Sequence, residues 1–252
     1  MSGSEQSEQI SLFDLGGLAP VPSPAPTPPA MAPIARDRIP TDGRLPIPPG
    51  TYDSLDALFD HCRQCQRCGL AEGRTNVVVG RGLPVAPLMI IGEGPGQTED
   101  ETGLPFVGKS GQLLEKILES VRIDLANEVY ICNVVRCRPP GNRAPTPEEI
   151  AACRPYLMEQ IRLVDPKIIL LTGATAVRGV TGRKDGITKI RGQWLEWEGR
   201  LCMPIFHPAY LLRNQSREKG SPKWLMWQDI QVVRSKLDEL MGRSTPDESE
   251  EF

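Results

Sequence analysis

The chain has 252 residues, 39 % apolar and 24 % charged, with a formal net charge of −3. This composition provides for a full hydrophobic core and excludes fibrous or wholly disordered classes. No apolar run approaches the roughly 18 residues of a membrane span, and no leader pattern opens the chain, which therefore reads as cytoplasmic. The charge argues against a polyanionic partner only until the ends are set aside. Residues 1–50 carry three basic and five acidic side chains, and residues 243–252 carry one and four, which leaves +2 on the remainder. Arg136, Arg138 and Arg143 lie in an acid-free run, which reads as a solvated surface or a modest phosphate-contacting face.

Residues 1–48 include "LGGLAPVPSPAPTPPAMAPIARDRIP", which is rich in Pro and Ala, has no periodic apolar face, and reads as a disordered tail. One apolar island interrupts it, formed by Gln9, Ile10, Ser11, Leu12 and Phe13. A single folded domain is expected over residues 49–242, followed by an acidic tail, 243–252. Next comes "HCRQCQRCGL", with three cysteines in seven positions. Four short runs then read as buried strands: "PLMIIG" (87–92), "EVYICNVV" (128–135), "KIILLTG" (167–173) and "LCMPIF" (201–206). Between them, "GKSGQLLEKILESV" sets Leu113, Leu114, Ile117, Leu118 and Val121 on one helical stripe. "TPEEIAACRPYLMEQIRLV" opens with Thr146 as N-cap, Pro147 at the first helical position and Glu149 closing a capping box. Alternating strands and helices predict an α/β three-layer sandwich with a mainly parallel central sheet.

Sheets of that kind bind ligands beyond the C-terminal ends of their strands. "GEGPGQTEDETGLPFVGKSG" follows the first run, Asn133 and "RCRPPGNRAPTP" end the second, and "HPAYLLRNQ" follows the fourth. Glycines, carboxylates, Asn133 and His207, one of two histidines, thus collect at one edge.

Of seven cysteines, Cys132 and Cys202 fall within apolar strand patterns and read as small buried hydrophobes. Cys65-x2-Cys68 is a soft-metal clip, and Cys137 and Cys153 lie outside the strands. Four thiolates suit zinc or a 4Fe–4S cluster. Cys62 forms a competing pair with Cys65, so spacing alone leaves the register open.

"GEGPGQTEDETGLPFVGKSGQLL", "YICNVVRCRPPGNRAPTPEEIAAC" and "FHPAYLLR", preceded by the Cys-x2-Cys-x-Leu of Cys65–Leu70, resemble the iron–sulfur (family 4) uracil-DNA glycosylases from about residue 60 to 238. The resemblance implies a structural 4Fe–4S cluster on Cys65, Cys68, Cys137 and Cys153, with Cys62 a spare. It implies excision of uracil from DNA by a monomer that leaves an abasic site. A base inside a duplex must be flipped into a pocket before its bond is reached. In that pocket Gly92, Glu93 and Gly94 would form the floor, Phe106 would stack on uracil, and the Asn133 amide would read N3–H and O4. His207 would donate to O2 as charge develops there, and Glu93 or Glu99 would position water. Leu211 or Leu212 would fill the gap in the duplex, with Arg213, Arg138 and Arg143 near phosphates. The rival readings are a DNA-binding iron–sulfur protein without activity and an electron carrier. A glycosylase would work at the nucleoid, and residues 9–13 resemble the bacterial sliding-clamp pentapeptide, Gln-x-Ser/Asp-Leu-Phe, which implies a replication clamp as partner.

Overall fold

The structure, a computed structural model, describes residues 43–243; the pentapeptide at 9–13 and the acidic stretch 244–252 lie outside the described residues. One sheet organises them, built from β1 (Arg81–Gly82), β2 (Leu88–Gly92), β3 (Val129–Asn133), β4 (Ile168–Thr172), β5 (Leu195–Trp197) and β6 (Arg200–Ile205). The spatial order is β1-β3-β2-β4-β6-β5. The inner four strands are the four apolar runs and pair in parallel, while β1 and β5 add antiparallel edges. β5 turns into β6 through Glu198 and Gly199, both at positive φ (48° and 73°), the backbone of a two-residue hairpin turn.

Every residue of β2, β3 and β4 is buried, as expected of strands covered on both faces. Alternation sorts their side chains into two cores. Met89, Ile91, Cys132, Ile169 and Leu171 meet Leu157 and Ile161 of α5 (Pro147–Val164) and Val177 and Val180 of α6 (Ala174–Thr181). Leu88, Ile90, Ile131, Leu170 and Ile205 meet Leu114 and Leu118 of α4 (Lys109–Glu119) and Ile230 and Val233 of α9 (Pro222–Met241). α5 starts with the expected capping box: Thr146 Oγ1 accepts from Glu149 N at 3.2 Å and Glu149 Oε2 accepts from Thr146 N at 2.8 Å. The remaining helices are short: α1 (Leu55–Arg63), α2 (Leu70–Gly73), α3 (Gln97–Thr102), α7 (Ile187–Ile190) and α8 (Pro208–Arg213).

A third apolar cluster attaches the N-terminal segment to α5 through Ile47, Tyr52, Leu58, Cys62, Val79 and Tyr156. The buried Glu159 carboxylate accepts from Gly50 N (2.9 Å) and Tyr52 N (3.2 Å) and pairs with Arg162. The tail boundary expected at residue 48 therefore falls too late. Ile47 is buried, and Arg67 donates to the carbonyls of Gly43 and Leu45, ordering a stretch whose composition looks tail-like.

Candidate active site

β2, β3, β4 and β6 end at one edge, and the segments that leave them enclose a cavity of about 740 Å³. β2 ends on Gly92, paired in register with Asn133 at the end of β3. A Cβ on Gly92 would lie 2.5 Å from the Phe106 ring and closer still to Asn133 Oδ1. Real Cβ atoms do not approach that closely, so only glycine lets amide and ring share this space. Glu93 and Gly94 follow on the cavity wall, where the Glu93 carboxylate accepts from the Thr175 hydroxyl.

Phe106 is buried and sits at φ 55°, a left-handed backbone that an aromatic residue adopts only when its surroundings enforce it. Three neighbours do so. Arg81 donates to the carbonyls of Pro105 (2.8 Å) and Phe106 (3.0 Å). Gly111 lets α4 lie directly on the Phe106 carbonyl, where any Cβ would collide. Glu99 accepts from Val107 N (3.0 Å) and Gly108 N (2.7 Å) through one oxygen and from Gly96 N (3.1 Å) through the other. Glu99 lines the cavity, yet both of its oxygens are committed to loop backbone, whereas Glu93 meets a side-chain hydroxyl.

His207 follows β6 and caps α8, its Nδ1 accepting from Ala209 N at 3.2 Å. An acceptor at Nδ1 leaves the proton of the neutral ring on Nε2. Burial lowers the pKa of this imidazole from the ordinary 6.5; Glu93 opposes that shift and Arg213 adds to it. The Phe106 and His207 rings stand 6.1 Å apart, and Gly173, at φ 88°, brings the end of β4 against His207 Cβ.

Of the residues expected to contact DNA, Arg213 and Arg143 line the cavity. Arg143 is also bonded through both terminal nitrogens to Glu149, at 2.8 and 2.7 Å, and Arg138 donates to Asn142 Oδ1 at 2.7 Å. The expectation for Leu211 is corrected. It is 1 % exposed and packs into the α4/α9 core, because the stretch is helical and one of two adjacent leucines must face inward. Leu212 is half-buried, and the exposed Tyr210 lines the cavity instead. Sequence reasoning passed over Thr172, Gly173 and Thr175, although the strand-end rule applies to "KIILLTG" as well as to the other three runs.

Cys65, Cys68, Cys137 and Cys153 come together, and Cys62 with them, around a small pocket that also touches Arg67, Arg74, Arg136 and Tyr156. Arg74 lies 3.4 Å from Cys137 Sγ, and Arg136 lies 3.5 Å from Cys153 Sγ. Burial pushes the thiols of Cys62 and Cys68 up and that of Cys137 up to about 12. Cys132 and Cys202 are fully buried elsewhere in the sheet, as expected of small hydrophobes. Among the described residues, no three His, Cys, Asp or Glu side chains are gathered as a single metal ion requires.

The chain matches the Uracil DNA glycosylase superfamily over residues 79–231. It is 45 % identical over 183 residues to the type-4 uracil-DNA glycosylase of Thermotoga maritima, an alignment that covers 72 % of this chain and 93 % of that protein. It is 39 % identical to the type-4 enzyme of Sulfurisphaera tokodaii (72 % and 84 % covered) and 35 % identical to that of Archaeoglobus fulgidus (77 % and 96 %). Collinear motifs and likeness over nearly the whole described chain agree: this protein belongs to the uracil-DNA glycosylase superfamily and, within it, to the type-4 branch.

Proposed function

We propose that this glycosylase takes a flipped uracil into the 740 Å³ cavity and hydrolyses its N1–C1′ bond, leaving an abasic site. The observation that carries the reading is the His207 tautomer, fixed by the Ala209 N–H so that Nε2–H is available as a donor. As the bond breaks, its electron pair passes to uracil and charge gathers on O2 while the sugar gains oxocarbenium character. A neutral imidazole donating to O2 stabilises charge that exists mainly in the transition state. Phe106 stacks on the base. The Asn133 amide accepts from N3–H and donates to O4, a pattern that cytosine reverses. Glu93, held by Thr175, positions the water that attacks C1′ and takes its proton. Leu212 enters the duplex, with Arg213 and Arg143 at phosphates and Arg138 flanking them.

The same reading gives Cys65, Cys68, Cys137 and Cys153 to a 4Fe–4S cluster. The donor set fits, since the pocket gathers thiols and guanidinium groups with no carboxylate among its lining residues. Four cysteine thiolates are the donor set that would hold such a cluster. The cluster supplies a cross-link between the N-terminal segment and α5 and takes no part in bond cleavage. Residues 9–13 recruit the enzyme to a sliding clamp.

Purified protein incubated with uracil-containing and matched thymine-containing oligonucleotides, then treated with alkali, is expected to cut only the former. Binding without scission would leave a non-enzymatic DNA-binding protein in place of the enzyme.

A further inference from the structure

Two buried polar groups facing the cysteine pocket lack a hydrogen bond of good geometry. Arg136 Nε and Tyr156 Oη are each inaccessible and without a hydrogen bond, and both residues line the pocket shared by the thiols. The rest of the Arg136 guanidinium is engaged. Nη1 donates to the carbonyls of Val134 (3.1 Å) and Asn133 (3.4 Å) and lies 3.5 Å from Cys153 Sγ, while Nη2 donates to Gln160 Oε1. Gln160 is itself fixed by its bonds to the Val79 carbonyl and the Tyr130 hydroxyl, both 2.9 Å. The cation is thus held rigidly at 2 % exposure, and its remaining N–H has no acceptor. A buried donor left unpaired, on a buried charge left unneutralised, is costly enough that native proteins rarely keep one. No carboxylate lines the pocket to balance the charge. Tyr156, 1 % exposed, lines the same pocket as Cys65 and Cys62.

We propose that Arg136 and Tyr156 are outer donors to the cluster: the Arg136 Nε–H and the Tyr156 O–H bond its sulfur atoms, and the guanidinium offsets its net negative charge. The inference rests on the cluster reading above. Second-layer hydrogen bonds of this kind orient ligands and tune the metal group, and their loss typically weakens metal retention about 10–100-fold. Arg136 also ties that role to the base-reading edge, because the carbonyl it holds belongs to Asn133. It is a positioning residue.

The test uses full-length holoprotein purified without oxygen, with Tyr156→Phe, Arg136→Lys and Arg136→Met, each checked for fold by circular dichroism. Two readouts are followed: chelator-driven bleaching of the cluster absorption, and the Fe–S stretching frequencies in resonance Raman. Tyr156→Phe is expected to bleach about 10-fold faster and to shift the Fe–S bands. Arg136→Met should do more, and Arg136→Lys, which keeps the charge and loses the directed Nε–H, should fall between wild type and Arg136→Met. If Arg136→Met does not fold, the other two variants decide. Bleaching and bands unchanged in both would overturn the inference. Colourless, iron-free wild-type protein would instead sink the cluster reading, and the outer-donor role with it.

Discussion

At the scale of single residues, His207, Asn133 and Gly92 make the sharpest claims. His207→Ala and Asn133→Ala are each expected to slow single-turnover excision by about 10²–10³ and leave the melting temperature nearly unchanged; near-normal rates would move the pocket elsewhere. The acid limb tests the protonation state. The folded-state pKa of His207 lies below its ordinary 6.5, so as pH falls the unfolded chain takes up the proton first. This imidazole therefore favours the fold above 6.5, and that contribution is lost as pH falls through the lowered value. Excision should hold through 6.5 and decline only on its acid side; a decline beginning above about pH 7 would contradict a neutral catalytic ring. Not all such residues were legible. His207 stood out because it follows a strand in "HPAYLLR", a stretch that resembles the family's motif. Arg136 looked like one of three surface arginines, and only the packing of Gln160 and the cysteines around it reveals a buried cation.

At the scale of elements, the loop between α3 and α4 is a scaffold for one strained aromatic residue. Glu99 holds it by the N–H groups of Val107 and Gly108 and ties it to Gly96 N ahead of α3, a task that a carboxylate performs and a neutral amide performs less well. Glu99→Gln is expected to speed amide exchange at Val107 and Gly108 and to cut excision in step. Slower excision with unaltered exchange would return Glu99 to the water-positioning role. Glu159→Gln should likewise loosen the N-terminal segment at Gly50 and Tyr52, with a stability loss of about 1–3 kcal/mol. The inner strands were legible because strands buried on both faces read as unbroken apolar runs. β1 and β5 were not, since two or three residues carry no period. The apolar pair Leu211–Leu212 misled for a related reason: read as a loop it offers two exposed side chains, but coiled into α8 it buries one.

At the scale of the whole molecule, the proposed clamp contact and the described domain can be tested apart. Removing residues 1–42 should leave melting and excision from free oligonucleotides unchanged. The same deletion, or Leu12→Ala with Phe13→Ala, should abolish binding to the host's clamp; undiminished binding by the doubly substituted protein would end that reading. The class of fold was readable because strand and helix alternate cleanly along residues 87–206. The pocket was readable only in outline. It depends on which loops meet across a sheet, and strand order is a three-dimensional fact.

The bare backbone at Gly92 and Gly111 has a genetic consequence. Every glycine codon begins with two guanines, and deamination of the cytosine opposite either one, left unrepaired, turns that guanine into adenine at replication. The products are Ser, Arg, Asp or Glu, all longer than the single Cβ that already collides at both positions. The lesion that this enzyme removes is therefore one that, left in its own gene, would write a side chain against Phe106.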